Sequence, residues 1–61
     1  MTKNYKIGIL NAIKLLYDEI QLIREKRDSV QGDKSKENYN SQILSHILSI
    51  QHLKEVISEE N

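Results

Sequence analysis

Gln31-Gly32-Asp33-Lys34 is the one clear interruption in a chain whose apolar residues otherwise recur with helical spacing. Gly32 suits the left-handed residue that ends a helix. Asp33 or Ser35 can then cap the next one. A connection this short returns the chain beside itself, antiparallel. The sequence therefore predicts an all-α fold in one domain: a helix over about residues 3–30, a turn over 31–34 and a second helix over about 35–58. Thr2 or Asn4 is available to cap the first helix.

The spacing on either side of the turn supports this. Ile9, Ile13, Leu16, Ile20 and Ile23 alternate steps of four and three, and Val30 continues the series beyond Arg27. Tyr39, Ile43, His46, Ile50, Leu53 and Ile57 repeat the rhythm in the second segment. Both are heptad-like seams that pack at a shallow crossing angle. Strand-like alternation is not sustained anywhere. The ends carry a further clue. Lys3 and Lys6 open the first helix, and Glu55, Glu59 and Glu60 close the second, each with the wrong sign for its own helix dipole. An antiparallel hairpin brings these ends together, so lysine and glutamate are expected to face each other.

Size limits what such a hairpin achieves alone. With 61 residues, the chain belongs to a class that needs disulfides, a metal, oligomerisation or very regular packing. Cysteine is absent, which removes disulfides and thiolate metal sites and fits a reducing cytoplasm. Proline is also absent, and 38% of residues are hydrophobic and 30% charged, the profile of a soluble helical protein. The formal net charge is zero, which argues against binding nucleic acid chiefly through phosphate neutralisation. The apolar run over residues 7–17 is broken by Asn11 and Lys14, has no cleavage site after it and is too short for a bilayer, so no membrane association is expected.

The apolar residues exceed what one seam per helix can hide. Leu10 and Tyr17 lie on one shoulder of the first seam, Leu15 and Leu22 on the other, and Ile7 nearly opposite. Leu44 and Leu48 form a second ridge on the second helix, and Val56 stands apart. A soluble monomer rarely leaves such a patch exposed. The simplest closed solution is a two-fold dimer, a four-helix bundle. Ile7, Leu10, Ile13, Tyr17, Leu44, His46 and Leu48 are the candidate dimer or partner interface. Ser41, Ser45 and Ser49 form a small-residue row, more simply read as a solvated face.

Reactive chemistry is sparse. His46 falls on the seam and His52 roughly opposite, so one helix cannot bring both to a metal. His46 reads as a buried or interfacial residue hydrogen-bonded to a neighbour, in a place where protonation inside a dimer would be costly. His52, Glu55 and Glu59 share a face and offer a nitrogen and two carboxylates, but a solvated polar surface is the simpler reading. Arg24, Lys26, Arg27, Lys34 and Lys36 interleave with Glu25, Asp28, Asp33 and Glu37 and nearly cancel. Arg27 alone falls on the seam, and is expected to snorkel outward or to reach a carboxylate of the partner chain. No phosphate loop, Cys/His cluster or nucleophile–base–acid set occurs, so neither a cofactor, a metal nor catalysis is expected.

Two resemblances bear on function. Residues 19–30 (EIQLIREKRDSV) resemble the first helix of the short hairpin phosphatases of sporulation, and Ser41-Gln42-Ile43-Leu44 resembles the start of their Ser-Gln-x-Leu-Asp motif. Ser45 stands where that motif has its reactive acid, so the activity does not carry over. The chain also resembles the Rop-type plasmid RNA-binding proteins in size and hairpin-dimer architecture. That resemblance implies RNA contact through Lys3, Asn11 and Lys14, although Asp18 and Glu25 continue the same face and repel phosphate. The leading expectation is a small cytoplasmic regulator or inhibitor, of the kind phages and mobile elements encode. It would act as a homodimer that binds a larger protein. Rop-like RNA binding and a purely structural oligomerisation module are the alternatives.

Overall fold

The structure is a computed structural model and describes residues 3–59. It consists of α1 (Lys3–Ser29) and α2 (Asp33–Glu59), packed as a hairpin. Each helix has 27 residues, about 40 Å at 1.5 Å per residue. The body measures 46 × 15 × 9 Å, a flat rod one helix thick.

The two seams meet as their spacing requires. Ile9, Ile13, Ile20 and Ile23 of α1 pack with Ile43 and Ile50 of α2, an entirely isoleucine core. Isoleucine has essentially one χ1 rotamer in a helix, so such a core is stiff. Leu16, Tyr39, Ile47, Leu53, Val56 and Ile57 pack against it, half-buried. Val56, apart from the seam by spacing, is drawn onto the core near the end of α2. Ile13 also belongs to this core and not to an outer surface: the partner it meets is α2 of its own chain. Even the most enclosed side chains, Ile23 and Ile50, keep 3% of their surface exposed. Two helices cover a seam from one side only, and the core stays one layer thick.

The turn differs in detail from its expectation. The connection is Val30, Gln31 and Gly32, and α2 begins at Asp33. No described glycine has a positive φ, so Gly32 is not left-handed. The Lys36 N–H instead donates to the Gly32 carbonyl at 3.0 Å, the first hydrogen bond of α2. Gly32 is thus the N-cap, a position glycine fills about as well as threonine. Asp33 falls inside the first turn, where its charge suits the helix dipole, and neither it nor Ser35 caps. At the end of α1, the Ser29 hydroxyl donates to the Lys26 carbonyl at 2.9 Å, satisfying one orphan acceptor. Lys26 and Arg27 lie there with the favourable sign.

At the open end α1 starts at Lys3, so Asn4 lies inside the helix; Thr2 and Glu60 are outside the described residues. The hairpin brings Lys3 and Lys6 to the same end as Glu55 and Glu59. Among the described residues, however, the ion pair present is Arg27 with Asp28 at 3.3 Å, and none joins those lysines to those glutamates. Exposed pairs gain roughly 0–1 kcal/mol, too little to order long side chains at a helix end.

Gly8 is exposed within α1, and a Cβ built on it meets nothing within 4 Å. Gly8→Ala is expected to stabilise the fold by about 0.5–1 kcal/mol through lower backbone entropy in the unfolded chain. Thermal melting followed by circular dichroism should show a rise of about 4–8 °C per kcal/mol for a domain of this size. A fall would mean that the space beside Gly8 is filled in solution.

Candidate interaction surface

Two side-chain contacts define one flank of the hairpin. Lys54 Nζ donates to Tyr17 Oη at 3.0 Å and lies 5.5 Å from the ring centroid. Arg27 Nη1 donates to Asn40 Oδ1 at 2.9 Å, and its Nε donates to Asp28 Oδ1 at 3.3 Å. The carboxylate that Arg27 finds therefore belongs to its own chain, and its cross-helix partner is an amide. In heptad terms Tyr17, Asn40 and Lys54 all occupy the e position, and e faces e across an antiparallel pair. The flank they mark carries Leu10 and Tyr17 from α1 and Ile47 from α2. Ile7 and Leu44 lie further round on the same side.

The apolar surplus does not lie on one side of the hairpin. Ile7, Leu10, Tyr17 and Leu44 are 46%, 49%, 48% and 57% exposed and by heptad position fall on the flank just described, whereas Leu48, 57% exposed, stands on the outer face of α2 beside Ser45 and Ser49. Leu15 and Leu22, 68% and 52% exposed, lie on the other flank. There they share a side with Gly8, Ala12, Ser45 and Ser49, which makes that flank poor in charge and small in relief. Tyr5, also exposed, was not singled out by the spacing because it precedes the first full turn of the seam.

His46 sits between these regions, half-buried, with Nδ1 2.8 Å from the Gln42 carbonyl. A carbonyl only accepts, so Nδ1 carries the hydrogen in this contact. Its hydrogen-bonding neighbour is thus one helical turn back on its own helix. Two residues of this region escaped the sequence reading. Ile47 follows His46 directly and is hidden by that polar neighbour, although its e position puts it on the same flank as Tyr17 and it packs against the core. Lys54 reads as an ordinary surface cation, and only the antiparallel register brings it to Tyr17. Tyr17→Phe removes the oxygen that Lys54 contacts and keeps most of the ring. The exposed setting limits the expected loss to below about 1 kcal/mol in a urea titration. A loss above 2 kcal/mol would show that this contact is shielded from water.

The polar face of α2 holds no assembled chemistry. An open depression is lined by Ser45, Leu48, Ser49, His52 and Leu53, but the Ser49 hydroxyl donates to the Ser45 carbonyl at 3.2 Å, back-bonding into its own helix. Among the described residues no three histidine, aspartate or glutamate side chains converge to hold a metal ion, and His52, Glu55 and Glu59 do not form such a group. Among the described residues no helix is long and apolar enough to cross a membrane. No protein-family model, no curated protein and no solved structure matches the chain.

Proposed function

We propose that this chain is a small non-enzymatic regulator that acts by protein–protein binding, first with a second copy of itself and then with a larger protein. The observation that carries this reading is the set of exposed apolar side chains: Ile7, Leu10, Tyr17 and Leu44 on one flank, with Leu48 on the adjoining outer face of α2. Dimensions support it. The accessible surface is 4805 Å², whereas a folded monomer of 7.1 kDa exposes about 4,100 Å². The excess of about 700 Å² approaches the roughly 800 Å² that each partner buries in a standard interface. The radius of gyration is 14.3 Å, against about 10.5 Å for a compact chain of this length and about 13.7 Å for one twice as long. Two hairpins stacked on their flat sides would have the proportions of one well-packed four-helix body.

Covering one flank leaves the other available. Leu15 and Leu22, beside a row of small residues, are the surface offered to the larger protein. Affinity capture from the native host tests this, with Leu15→Glu/Leu22→Glu as the matched control. The native chain is expected to retain a specific protein that the control loses. Retention of structured RNA that weakens steeply with salt, with no protein, would replace this reading by nucleic-acid binding.

A further inference from the structure

We draw no further inference here: the strongest candidate, the exposed apolar flank of the hairpin formed by Ile7, Leu10 and Tyr17 of α1 with Leu44 of α2, carries nothing beyond the reading above, because nothing in the structure shows what covers it.

Discussion

Ile50→Ala is expected to unfold most of the protein at 25 °C. Ile50 is 3% exposed and packs among the isoleucines of both helices. Removing three carbons from such a site costs about 2–5 kcal/mol, as lost transfer energy plus the cavity left behind. A core of this size rarely supplies more than about 3–5 kcal/mol, so the substitution removes most of what exists. The rod shape offers no second layer to collapse into the space. Far-UV circular dichroism with urea titration reads the result directly. Ile50→Val, which removes one methyl group, should cost only about 0.5–1.5 kcal/mol and stay helical. An alanine variant that melts within a few degrees of the parent would show that the seam is not the source of stability.

The second large effect is expected from Leu48→Glu, and it separates folding from assembly. Leu48 is 57% exposed in the hairpin, so within one chain the change is a surface substitution worth roughly ±0.5 kcal/mol. In a two-fold dimer it removes a buried leucine twice, at about 1.5–3 kcal/mol each, and adds two carboxylates to a low-dielectric interface. The dissociation constant should rise by at least about 100-fold, about 2.7 kcal/mol or more. The melting temperature of the native chain should climb with protein concentration, because assembly stabilises only the folded state. That of Leu48→Glu should not. An unchanged dissociation constant for Leu48→Glu would remove Leu48 from the interface.

Much of the hairpin is legible in the residues themselves. The four–three spacing through Ile9, Ile13, Ile20 and Ile23 is a one-dimensional signal, because side chains that follow that spacing must share a helix face. Gly32 marked the turn correctly for the wrong local reason. A glycine between helices serves equally as the end of one or the cap of the next, and which it becomes depends on where the following helix starts. Ile13 shows the same limit from the other side. It is apolar and on the seam, but whether the seam faces its own chain or another is not a property of its spacing.

What the sequence determined alone is the periodicity and the break: two helices, an isoleucine seam on each, and more apolar residues than those seams can hold. Each follows from local geometry, in which neighbours three and four residues apart are fixed by the helix itself. Tertiary structure decided how the remainder is divided. Leu10 and Tyr17 joined Leu44 on one flank, Leu15 and Leu22 went to the other, and Lys54 came to rest on Tyr17. These placements depend on the antiparallel register of α1 against α2, which is set by how the two isoleucine seams mesh and not by any residue's neighbours in the chain.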